Sequence, residues 1–129
     1  MVTTTADGFA FDTSTLSGLH WAAIALAALS GAIHLRLGVQ FLAEPMGIAF
    51  LLAGLGFFGA IALVLLDYRR RLVYLLGIPY TAVQIALWYQ VNVVDLGKTV
   101  GELGVVDYVD KVAQVLLLAL LVALLLRDR

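Results

Sequence analysis

The chain has 129 residues, 63% of them hydrophobic and 13% charged, with a formal net charge of −1. Soluble domains run at about 45–50% apolar and 25% charged, so an ordinary water-soluble domain is excluded and one membrane-embedded domain is expected. The charge balance, with no basic cluster larger than Arg69–Arg71, also excludes nucleic acid as a partner.

Residues 1–18 read as a polar N-terminal tail carrying Asp7 and Asp12 but no Lys or Arg. The basic start of a secretory signal peptide is missing, so the first apolar run is expected to be retained. Phe9 and Phe11 are expected to dip into the membrane interface. Four apolar runs follow, at Leu19–Gly38, Pro45–Leu66, Leu72–Val91 and Val106–Leu126, and residues 127–129 form a C-terminal tail. A bilayer core about 30 Å thick needs about 20 helical residues, the length of each run. Backbone polar groups in lipid must bond within their own helix. The expected fold is therefore all-α, an up-down-up-down bundle of four transmembrane helices surrounded by the lipid bilayer.

Four spans put both termini on one side, together with the link Asp67–Arg71. That side carries Arg69, Arg70, Arg71, Arg127 and Arg129, against Arg36, Lys98 and Lys111 on the other. Basic residues near span ends prefer the cytoplasm, so a multi-pass cell (plasma) membrane protein with cytoplasmic termini is expected. In the outer connection, Val93, Leu96, Val100 and Leu103 share one helical face, which predicts a short helix on the membrane surface. Asp107 is expected to cap the fourth span, with Asp110 in its first turn beside the positive helix end.

Ala23, Ala27 and Gly31, and then Ala49, Ala53, Gly56 and Ala60, place small residues at three- and four-residue spacing. Such ridges let helix backbones approach closely, either within the chain, which is favoured, or in a homodimer. Val112–Leu126 is almost featureless and suits a helix facing lipid or a partner subunit.

Span three is the most polar. Gly77, Tyr80, Thr81, Gln84 and Trp88 fall on one stripe beside Pro79, which lacks an N–H and frees the carbonyl of Leu75. Ordinary interhelical hydrogen bonding accounts for such a stripe. The alternative is a site for a small, mostly apolar ligand between spans one and three, walled by His34, Tyr80, Thr81, Gln84 and Trp88. There, His34 would meet Tyr80, Gln84 or Glu44. No acid or histidine is expected at membrane depth in spans two to four, which argues against a proton-coupled pump.

His20 and His34 are the only histidines. They return nearly to one helical face about 21 Å apart. This resembles the histidine spacing of the cytochrome b family, in which one helix ligates a haem in each half of the membrane. The resemblance implies haem b held between paired His20 and paired His34 of a parallel homodimer, because the chain has no second histidine pair. Without haem, no cofactor is expected.

Other signals fail. Gly97-Lys98-Thr99 matches the end of a phosphate-binding loop, but the earlier glycine position holds Asn92. Two distant histidines without cysteine make no metal site, and no Ser–His–Asp spacing stands out. The small multidrug transporters are similar in size, but their membrane-embedded glutamate has no counterpart in span one. No enzyme activity and no catalytic residue are expected.

Ser30-Gly31-Ala32-Ile33-His34-Leu35-Arg36-Leu37-Gly38 and Phe50-Leu51-Leu52-Ala53-Gly54-Leu55-Gly56-Phe57-Phe58-Gly59-Ala60 resemble the small uncharacterised four-span membrane proteins of salt-loving archaea. That resemblance implies a membrane address and no activity. The function expected is an accessory or scaffold component that packs against itself or a larger membrane complex.

Overall fold

The structure, a computed structural model, describes residues 2–4 and 10–127, with side chains from residue 13 onward. The interfacial placement of Phe9 and Phe11 lies outside the described side chains. A short antiparallel hairpin pairs β1 (Val2–Thr4) with β2 (Ala10–Asp12), Val2 opposite Asp12. Four helices follow: α1 (Gly18–Gln40), α2 (Pro45–Leu65), α3 (Arg70–Tyr89) and α4 (Val105–Arg127). All four are long and apolar enough to cross a membrane. At 1.5 Å per residue they run about 30–34 Å, the thickness of a bilayer core.

Local chemistry sets the boundaries. Pro45 opens α2, where its missing N–H leaves no bond unmade. Asp67 and Arg69 take left-handed φ angles of 53° and 51° in the link before α3. Arg70 Nε donates to the Val64 carbonyl at 2.8 Å and holds that link against the end of α2.

The α3–α4 connection differs from the surface helix expected over Val93–Leu103. α3 runs on through a π-helical turn at Gln90–Asp95, where Leu96 N–H donates to Val91 O at 3.0 Å. Gly97, at φ +64°, then breaks the helical path, and only a 3-10 turn at Val100–Glu102 follows. Asp107 is also not the cap residue. It is the third residue of α4, and its Oδ2 reaches back to the Gly104 N–H at 3.0 Å, the acidic half of a capping box.

The interior is built from small and polar residues. α1 buries His20, Ala23, Ala27, Ser30, Gly31, His34 and Gly38, a single face at steps of three and four. Close approach to α2 depends on glycine: a Cβ on Gly38 would lie 2.5 Å from Leu51 Cγ, and one on Gly54 would lie 2.9 Å from the Gly31 carbonyl oxygen. Ala23 and Ala27 are buried, and a Cβ on Gly56 would meet Tyr80, so these small residues serve contacts within the chain.

α4 is central to the bundle. It supplies Ala113, Leu117, Leu121 and Leu124 to the core and packs against both α1 and α3, which corrects the expectation of a featureless outer helix. α1 packs on α2 and α4, whereas the consecutive helices α2 and α3 barely touch. Bulky apolar side chains cover the outside, among them Leu52 and Leu55 of α2, Val83 and Leu87 of α3 and Val115 of α4. At the end that holds α1's start and α4's finish, Arg71 donates to the Leu125 carbonyl at 3.0 Å and Arg127 to Ser17 Oγ at 3.1 Å.

Candidate functional site

The other half of the bundle holds a buried polar centre. Ser30 and His34 project from one face of α1, Gln84 from α3, and Asp110, Lys111 and Gln114 from α4. His34 Nδ1 lies 2.8 Å from the Ser30 backbone carbonyl. A carbonyl only accepts, so Nδ1 carries the proton in this bond. The Ser30 hydroxyl donates to Asp110 Oδ1 at 2.7 Å. Lys111 Nζ bridges Asp110 Oδ2 at 2.8 Å and Gln114 Oε1 at 2.7 Å. Gln114 uses its amide hydrogens on Ser30 Oγ at 3.1 Å and Gln84 Oε1 at 3.0 Å. Ser30 and Gln114 are wholly inaccessible, and Asp110 and His34 are each 5% exposed.

Serine, histidine and aspartate therefore meet, but not as a nucleophilic triad. In a triad the imidazole accepts the serine proton and the carboxylate orients the imidazole. Here the Ser30 proton points at Asp110, the His34 Nδ1–H serves its own helix, and His34 Nδ1 stays 3.9 Å from Asp110. The imidazole is thus not placed to take the Ser30 proton. Among the described residues no group of three or more His, Asp or Glu comes together as a metal site.

Two expectations are corrected at this centre. Asp110 lies about 7.5 Å into α4 and faces the interior, so spans two to four do carry an acid inside the bundle. His34 meets neither Tyr80, Gln84 nor Glu44 by hydrogen bond; its ring packs between Phe50 and Phe57, with centroids 5.9 and 6.0 Å away.

The residues expected to wall one cavity between spans one and three are dispersed. Tyr80 turns towards α2 and donates to the Ala53 carbonyl at 2.7 Å, in space left by Gly56. Gln84 goes to Gln114. Trp88 Nε1 donates to Asp107 Oδ1 at 2.9 Å, and Lys111 Nζ sits 5.6 Å from its ring. Thr81 is fully buried and lines a separate cleft that Tyr80 also borders, so these two of the five do share a cavity. The reason is the helix arrangement: α1 and α3 lie diagonally, and Gln114 of α4 and Phe57 of α2 fill the space between them.

The histidines do not fit a haem shared between two copies. Such pairing needs both rings on the outer face of α1, and His20 and His34 are 3% and 5% exposed. His20 Nδ1 instead accepts the Ser17 N–H at 3.0 Å at the start of α1, and its ring lies 6.2 Å from that of Tyr74.

The separate cleft, of about 60 Å³, lies between α2 and α3 and is floored by α1 and α4. Gly56, Ala60 and Gly77 keep its walls apart, and Thr81 is among its few polar residues. Thr81 Oγ1 and Gln84 Nε2 have no hydrogen-bond partner among the described residues.

Sequence reasoning missed Ser30, Asp110, Lys111 and Gln114. A signal was present: Ser30–His34 and Asp110–Gln114 are both polar pairs four residues apart, each marking a single face of an apolar helix.

No curated protein and no solved structure matches the chain. One protein family does, over residues 5–126, nearly the whole length. The chain belongs to that family, DUF7475, a family of unknown function.

Proposed function

We propose that the chain is a small multi-pass protein of the cell membrane, with both termini cytoplasmic, and that it serves as a non-enzymatic accessory or scaffold component. In this role it packs against itself or a larger membrane complex. One observation carries the reading: the polar side chains that could have formed a reactive site are bound to one another. Ser30, Gln84, Asp110, Lys111 and Gln114 join α1, α3 and α4 through direct hydrogen bonds. Groups paired in this way hold helices together in lipid, where interhelical hydrogen bonds act as glue. The orientation is supported by Arg69–Arg71 and Arg127 at the end shared by the start of α1 and the finish of α4.

Native mass spectrometry of protein extracted gently from its own membranes tests the role. A mass that includes further subunits is expected; a lone monomer at every extraction condition overturns the accessory reading. A reporter fused after Arg129 should score as cytoplasmic, and an external score reverses the orientation.

A further inference from the structure

The cleft between α2 and α3 stands apart from the polar centre and from the accessory role. Its walls are mostly apolar, with His20, Tyr74, Tyr80 and Thr81 the polar residues among them. A water needs about 10–15 Å³ of such space and a benzene-sized cavity is about 150 Å³. At about 60 Å³ the cleft suits a slender group rather than a bulky ring system. α2 and α3 barely touch, so access is sideways from the surrounding lipid.

Thr81 gives the cleft its chemistry. A helical threonine commonly back-bonds to the carbonyl four residues earlier, yet Thr81 Oγ1 has no partner among the described residues and the residue is 0% exposed. A buried donor left unmade is destabilising, and an acceptor oxygen satisfies it.

Depth selects the source of that oxygen. Thr81 lies about 16 Å along α3 from Arg70, near the middle of a 30 Å core. Ester carbonyls of bilayer lipids stay near the headgroups. We propose that the α2–α3 cleft binds a free, membrane-soluble carbonyl compound, a slender hydrocarbon chain whose C=O oxygen accepts from the Thr81 hydroxyl.

The test uses the full chain in nanodiscs, melted with 2-nonanone or with nonane at equal membrane concentration. The comparison cancels general effects on the bilayer. Ketone is expected to raise the wild-type melting temperature about 2–4 °C above alkane. Thr81→Val keeps shape and removes the hydroxyl, so it should melt no lower than wild type yet lose the preference for ketone, about tenfold in affinity for one hydrogen bond. Equal shifts with ketone and alkane, a preference retained in Thr81→Val, or a lower melting temperature for unliganded Thr81→Val each overturn the proposal. Replacing ester lipids by ether lipids should leave the unliganded melting temperature unchanged; a fall identifies a lipid carbonyl as the occupant and overturns the free ligand. None of these outcomes depends on whether partner subunits exist.

Discussion

Asp110 offers the sharpest perturbation of the fold. Its carboxylate accepts from Ser30 Oγ at 2.7 Å and from Lys111 Nζ at 2.8 Å, with only 5% of the residue exposed. Breaking a buried ion pair by removing one partner costs about 3–5 kcal/mol, because the other charge is stranded. Two features reduce that here. Lys111 keeps the Gln114 carbonyl at 2.7 Å and the Trp88 ring, and interhelical hydrogen bonds in membranes average only about 0.6 kcal/mol. Asp110→Ala is therefore expected to cost about 2–3 kcal/mol. Asp110→Asn, which retains an oxygen for Ser30, should cost about 1–2 kcal/mol. Adding Lys111→Met to Asp110→Asn removes the stranded ammonium, so the double variant should recover part of the loss. Equilibrium unfolding in mixed micelles, followed by Trp88 fluorescence, gives the cycle. Coupling of about 1–2 kcal/mol is expected, and additivity within about 0.5 kcal/mol refutes the ion pair as a buried, coupled unit.

Other substitutions probe neighbouring contacts. Gln114→Leu should cost about 2 kcal/mol and Gln84→Leu under 1 kcal/mol, because Gln114 makes three of these hydrogen bonds and Gln84 one; equal losses in the same unfolding assay would contradict the network. Gly47→Ala should destabilise by 2 kcal/mol or more (an order-of-magnitude figure), since the new Cβ would lie 2.0 Å from the Phe41 carbonyl oxygen, a backbone atom. Gly59→Ala meets nothing within 4 Å and should be neutral or stabilising by up to about 1 kcal/mol, and thermal melting of the two variants separates these outcomes. In the connection between α3 and α4, hydrogen bonds from the Thr99 N–H and hydroxyl, with Lys98 nearby, hold the Glu102 carboxyl below the ordinary glutamate value. A lowered folded value means that its contribution is complete above the unfolded value and is lost as pH falls through the folded one. The Thr99 amide resonance should therefore titrate with a midpoint below 4.5, and a midpoint at or above 4.5 removes this cap.

The four helices were legible because length and hydropathy are properties of each run alone, and lipid permits little besides helices. Leu19–Gly38 and Pro45–Leu66 correspond closely to Gly18–Gln40 and Pro45–Leu65. What failed depended on which helix lies beside which. Asp110 sits six residues into α4, where an acid reads naturally as a partner of the helix dipole, and nothing local says that it turns towards Ser30. The stripe Tyr80–Trp88 was found, but its members go to three different neighbours because α3 packs on α4 and not on α1. The surface helix failed at Gly97, where periodicity in Val93, Leu96 and Val100 outweighed a glycine whose left-handed angle ends the helical path.

The polar centre also orders the chain's assembly in time. The α1–α2 hairpin can seat its glycine contacts as soon as both helices are inserted, because those contacts are its own. Ser30 on α1 and Gln84 on α3 must wait for Asp110 and Gln114, which arrive only with α4. Until then a hydroxyl and an amide face lipid unmatched, while α3 finds little to hold on α2. A chain halted before α4 would leave the Ser30 hydroxyl and the Gln84 amide without the partners that α4 supplies.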